Sequence, residues 1–143
     1  MHQIAQLIYE LSRSRSQYIT DRMQPYELKA CHAINLSHIC GKPGISQDAL
    51  TRLRHADKSS IARQVASLEE DGFITRVPCK DDKRIMKLYP TDKALELLPT
   101  VTEILEYWEN LLSQDFTEEE IQTLTALLSR MKTRAATWKG AIE

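Results

Sequence analysis

The chain has 143 residues, 42% of them hydrophobic and 27% charged, the size of one compact domain or two small lobes sharing a core. Leu, Ile and Val run along its whole length and no uncharged apolar stretch approaches the roughly 20 residues of a membrane span, so transmembrane and disordered classes are both excluded. Net charge is −1 but unevenly spread: residues 42–93 hold 11 basic and 8 acidic side chains, and residues 94–143 hold 4 and 9, which suits the middle to face a polyanion and the C-terminal part to face away.

Gln3, Gln6 and Glu10 interrupt the first apolar stretch, which therefore does not read as a signal peptide. Ile4, Leu7, Ile8 and Leu11 at helical spacing, followed by the polar stretch through Arg13, Arg15, Tyr18 and Arg22, predict one amphipathic helix. Pro25 suits the first turn of a second helix, with Leu28, Cys31, Ile34, Asn35 and Ile39 as its candidate buried side and Gly41-Lys42-Pro43-Gly44 as its breaker. Ser46 is a good N-cap for a short helix with Ala49, Leu50 and Leu53 inward. After His55-Ala56, Asp57 caps the next helix, which runs to about Asp71. Its inward stripe is Ile61, Val65 and Leu68, leaving Ser59, Ser60, Arg63, Gln64 and Ser67 on other faces, and Gly72 supplies the C-terminal stop. Two helices joined so tightly form a helix-turn-helix pattern.

Ile74 to Val77 and Ile85 to Tyr89 read as strands on either side of the turn Lys80-Asp81-Asp82-Lys83-Arg84, a β-hairpin or wing. Pro90 ends the second strand and Thr91 caps a long helix with Ala94, Leu95, Leu98, Val101, Leu105, Trp108, Leu111 and Leu112 as its apolar positions. Pro99 is expected to bend that helix or split off its first turn. A Thr117-x-x-Glu120 capping box opens a final helix with Ile121, Leu124, Leu127, Leu128 and Met131 inward. The expected fold class is mainly α: a winged helix-turn-helix with a two-stranded β wing, plus N- and C-terminal dimerisation helices. Residues 25–94 are expected to form the winged lobe, a candidate DNA-binding lobe, and 1–24 with 95–143 a flanking helical region, the candidate dimerisation region.

Between Ile45 and Lys93 the order of helix, turn, helix, wing and helix cap resembles the MarR family of bacterial transcriptional regulators. Asp57 to Val65 and Leu68 to Arg76 look like that family's recognition helix and the start of its wing. Asp82-Lys83-Arg84 stands where the family usually has Asp-Arg-Arg, Pro90 where it usually has Leu, and Thr91-Asp92-Lys93-Ala94 where it usually has Thr-x-x-Gly. The resemblance implies a homodimeric, sequence-specific repressor of transcription, bound to a near-palindromic operator in double-stranded DNA and released by a small-molecule effector. It also implies that Arg84 enters the minor groove while Asp82 supports the wing by setting its direction. An effector pocket between the dimer helices and the DNA-binding lobe would draw on Arg15, Tyr18, Arg22, His32 and Trp108, whose cations and aromatic walls suit a phenolic or carboxylate ligand.

The residues make a physical case of their own. Ser59, Ser60, Arg63, Gln64 and Ser67 offer hydroxyl, guanidinium and amide groups able to read base edges, and Lys58 with the two serines sits at a helix N-terminus that favours phosphate. Lys80, Lys83 and Arg84 add cations at the wing tip. The competing reading is a winged helix that binds protein rather than DNA, since the fold alone does not determine function.

Neither a metal nor a cofactor is expected. Cys31, His32, His38 and Cys40 lie on one helix, from which four ligands cannot close a tetrahedron. Three cysteines in unpatterned positions fit a reducing cytoplasm better than a disulfide framework, with Cys79 beside Lys80 the best-placed reactive thiol. An enzyme is not expected: there is no Gly-rich phosphate loop, nucleophile elbow or metal-binding His pair.

Overall fold

The computed structural model describes residues 3–138. The chain divides into two compact units, residues 1–106 and 107–143. Helix α1 (Gln3–Met23) buries only Ile19 and Met23, four residues apart on one face. Helix α2 (Ala30–Gly41) follows a 3₁₀ turn at Gln24–Tyr26. Pro25 was expected in the first turn of α2, and it instead starts the 3₁₀ turn. Glu27 at φ 57° is left-handed and breaks the chain there, so α2 begins at Ala30, whose N–H donates to Thr20 Oγ1 (3.0 Å).

Strand β1 (Ile45–Ser46), helix α3 (Gln47–Arg54), helix α4 (Lys58–Glu70), and strands β2 (Ile74–Pro78) and β3 (Met86–Pro90) complete the winged helix-turn-helix. Ser46 and Asp57 cap α3 and α4 by accepting from the N–H groups of Ala49 and Ser60. The sheet is antiparallel in the order β1-β3-β2, with Ile45 opposite Leu88 and Ile74 opposite Pro90. It has one strand beyond the expected wing, because a two-residue strand is too short to leave a periodic signal. Gly44 makes that strand possible. At φ 86° it donates its N–H to Leu88 O (2.8 Å), and a Cβ there would stand 3.3 Å from the Tyr89 hydroxyl.

Helix α5 (Asp92–Ser113) runs unbroken through Pro99. Its anchorage is Thr91, whose N–H donates to Phe73 O (2.9 Å) and whose Oγ1 lies 2.7 Å from Gly72 O. That anchorage sets which face turns inward. Ala94, Leu97, Val101 and Ile104 are buried, while Leu95 is exposed. Helix α6 (Glu118–Ala135), in the second unit, opens with the Thr117–Glu120 capping box and buries none of its residues.

The core of the first unit joins Ile19, Met23, Leu36, Ile39, Leu50, Ile61, Val65, Leu68, Ile74 and Leu88. Asn35 is the one fully buried polar side chain among the described residues. It accepts from Arg54 Nη1 and donates from Nδ2 to Gln64 Oε1 (2.9 Å), while Arg54 Nη1 also donates to Cys31 O (3.2 Å). Leu53, expected inward, is exposed. The place below Leu50, one turn on, is taken by Arg54 as it reaches α2.

Removing the Asn35 amide strands a half-buried guanidinium. Asn35→Ala is expected to cost about 2 kcal/mol of stability, measured by urea denaturation, and a loss under about 0.5 kcal/mol would contradict this account of the bonds.

Candidate nucleic-acid interface

The outer face of α4 is built from its N-terminus. Asp57 accepts from the Ser60 N–H (2.8 Å) and the Ser60 hydroxyl (2.7 Å), and Arg63 Nη2 donates to the same hydroxyl oxygen (3.3 Å). The Ser60 bonds hold the Asp57 carboxyl below its usual range, so the cap is a carboxylate that steadies the first turn and draws Arg63 toward it. Lys58, Ser59 and Arg63 are exposed, whereas Ser60, Gln64 and Ser67 are half-buried along one flank. Lys58 Nζ lies 3.9 Å from Asp48, with both side chains well exposed, a pair of little energetic weight. Gln64 has its carbonyl oxygen engaged inward on Asn35.

The wing is tied to the far end of the same helix. Glu69 accepts from the Arg76 N–H (3.2 Å), Nε (3.2 Å) and Nη2 (2.9 Å), which holds its carboxyl below the usual range. At the tip, Cys79 N–H donates to Ile85 O (2.8 Å) and Ile85 N–H to Asp82 O (3.0 Å). Asp82 accepts from the Arg84 N–H (3.0 Å), Nε (3.0 Å) and Nη2 (3.1 Å). Arg84 is 91% exposed and yet oriented. Its bonds lower the Asp82 carboxyl and raise the guanidinium. Lys80 and Lys83 are exposed beside it. Sequence reasoning missed Glu69, Arg76 and Arg54. The first two meet across a turn, at a spacing with no periodic signature, and Arg54 reads as an ordinary surface cation. Asn35 did carry a signal, an amide inside an apolar stripe.

Of the five effector candidates, one lines a described cavity. Arg22 lines a cavity of about 320 Å³ with Asp21, Pro25, Tyr26, Thr100, Glu103 and Ile104, and none of the other four does. Arg15 and Tyr18 are half-buried on α1, and Trp108 lies on α5 in the second unit. His32 is committed locally: its Nδ1 accepts from the Lys29 N–H (3.1 Å) and so caps α2.

A capped polar helix face braced to a hairpin with an oriented arginine defines a winged helix-turn-helix protein. The sequence model of the MarR family matches residues 36–86. The chain is 30% identical over 132 residues to the HTH-type transcriptional regulator YybA of Bacillus subtilis (strain 168), over 92% of this chain and 88% of that protein. It is similar to the MarR protein from Peptoclostridium difficile DA00132, with a TM-score of 0.91 and 26% identity over 98% of this chain and 92% of the other. A MarR family transcriptional regulator from Listeria monocytogenes, solved in complex with a 26mer DNA, gives a TM-score of 0.87 and 28% identity over 92% and 88%. The chain belongs to the MarR family.

The His32 cap is expected to give the lobe a pH response. Burial first, then Lys29, lower the His32 imidazole from its ordinary value, against the pull of Asp71. Burial, then Arg54, lower His38. A histidine lowered on folding contributes stability that is fully present above the unfolded value of about 6.5 and is lost as pH falls through the folded value. The melting temperature is expected to drop as pH falls below about 6.5, and His32→Gln, which keeps an acceptor at the third helical position, to flatten part of that drop. Thermal melts between about pH 7.5 and 5 measure both slopes, and equal slopes would remove His32 from the cap.

Proposed function

We propose that this chain is a sequence-specific DNA-binding regulator, a homodimeric repressor of transcription released by a small molecule. The observation that carries the reading is Arg84, exposed in solvent but aimed by Asp82, on a wing that Glu69 and Arg76 brace to α4. The Listeria monocytogenes relative in complex with a 26mer DNA supports it. Lys58, Ser59, Ser60, Arg63, Gln64 and Ser67 address the major groove from α4, Lys80 and Lys83 hold phosphates, and Arg84 enters the minor groove.

Dimerisation is supported by apolar side chains that the chain leaves in water. Ile4, Leu7, Ile8 and Leu11 on α1 and Leu124, Leu127, Leu128 and Met131 on α6 are all exposed, more than a soluble surface normally carries. A second copy covers them and places two recognition helices about 34 to 36 Å apart on a near-palindromic operator. An aromatic or anionic effector is the ligand class this reading assigns, and Arg22, which lines the cavity of the first unit, is the cation placed to meet it. The three free cysteines fit a cytoplasmic protein, and no described helix is long and apolar enough to cross a membrane.

Binding isotherms at several salt concentrations, with sedimentation on the same samples, test the reading. Arg63→Ala is expected to relax base preference at one symmetric pair of positions, at roughly 1 to 3 kcal/mol per half-site. Arg84→Ala is expected to weaken binding to most sequences, lower the salt slope and reduce preference for flanking A·T pairs. Unchanged affinity in both folded variants would assign the winged helix to a protein partner instead. A monomer at micromolar concentration that still binds DNA specifically would refute the dimer.

A further inference from the structure

The hydrogen bonds behind α4 have a polarity. Arg54 carries only donors, so the Asn35 atom facing it is Oδ1. That turns Asn35 Nδ2 toward α4, where it donates to Gln64 Oε1 at 2.9 Å. The other end of the Gln64 amide, Nε2, donates to none of the described residues, and the Gln64 side chain is only half-buried. Gln64 shares a flank of α4 with Ser60 and Ser67, at the four- and three-residue spacings that stack side chains. Arg63 Nη2 reaches Ser60 Oγ at 3.3 Å, which brings its guanidinium to the same flank.

An unrestrained glutamine turns either end of its amide to a base, and uses both ends on adenine. Gln64 has no such choice, because its oxygen is spent inside. We propose that Arg54 and Asn35 are positioning residues for base reading, and that through them Gln64 is a specificity-determining side chain that offers a donor and no acceptor. Such a side chain selects a major-groove edge that accepts, at guanine O6 and N7, thymine O4 or adenine N7, over cytosine, which shows only the N4 donor there. The inference rests on the DNA-binding reading above.

Two variants reverse the polarity by different routes. Asn35→Asp keeps an acceptor for Arg54 but removes the donor to Gln64, so the glutamine amide turns over, giving Nε2 to the new carboxylate and Oε1 to the outside. Gln64→Glu keeps an acceptor for Asn35 and also presents an oxygen outward. Bound sequences are selected from a random duplex library by the full-length wild type and both variants, with melting measured alongside. The wild type is expected to favour guanine or thymine over cytosine at one symmetric pair of positions by about five- to tenfold, and both variants to reverse that preference. A preference unchanged in both folded variants, or erased without reversal, overturns the proposal. If Asn35→Asp melts early, Gln64→Glu decides alone. Enrichment of no sequence by the wild type refutes the DNA-binding reading and this inference with it, whereas an unmoved preference refutes only the inference.

Discussion

Three helices of the winged lobe meet on the amide of Asn35. A buried amide is tolerated only when its donor and acceptor are both used, and here the two partners come from α3 and α4. Apolar packing alone lets helices slide against one another by small amounts, since Leu and Ile surfaces are non-directional. The Asn35 bonds are directional. They fix the rotation of α4 about its own axis, and with it which of the α4 side chains face outward. The exposed position of Leu53 follows from the same contact, because the inward place on the last turn of α3 is occupied by Arg54 reaching for that amide.

Carboxylates do a second job across this surface. Asp57, Glu69 and Asp82 each hold a cation or a cap, and in each the bonds hold the carboxyl below its ordinary range. Asp82 neutralises part of the Arg84 charge, but the Arg84 guanidinium is exposed and screened, so what the pair contributes is direction more than energy.

Much of the lobe was legible in the chain. Ser46, Asp57 and Thr117 were read as caps and are caps, since capping depends on a short polar side chain at one local position. The inward stripe of α4, Ile61, Val65 and Leu68, is buried, as its period implies. Where the reading slipped, a tertiary contact decided. The inward face of α5 includes Leu97 and Ile104 rather than Leu95, because its rotation is set at Thr91 by carbonyls of the Gly72-Phe73 turn. β1 depends on a backbone pairing with β3 that no pattern within Ile45 and Ser46 encodes. For the polar surface, residue types were readable but their partners were not. Nothing in the sequence says that Gln64 faces Asn35 or that Arg76 folds back on Glu69.

The brace between Glu69 and Arg76 has a kinetic consequence. With the hairpin already fastened to α4 through three hydrogen bonds, helix and wing meet a polyanion as one body. Little conformational entropy is left to lose at the moment of contact. Encounter is then governed by diffusion, orientation and ionic strength, not by the slower ordering of a loose hairpin. A wing set loose from α4 would still carry Arg84, but it would arrive late.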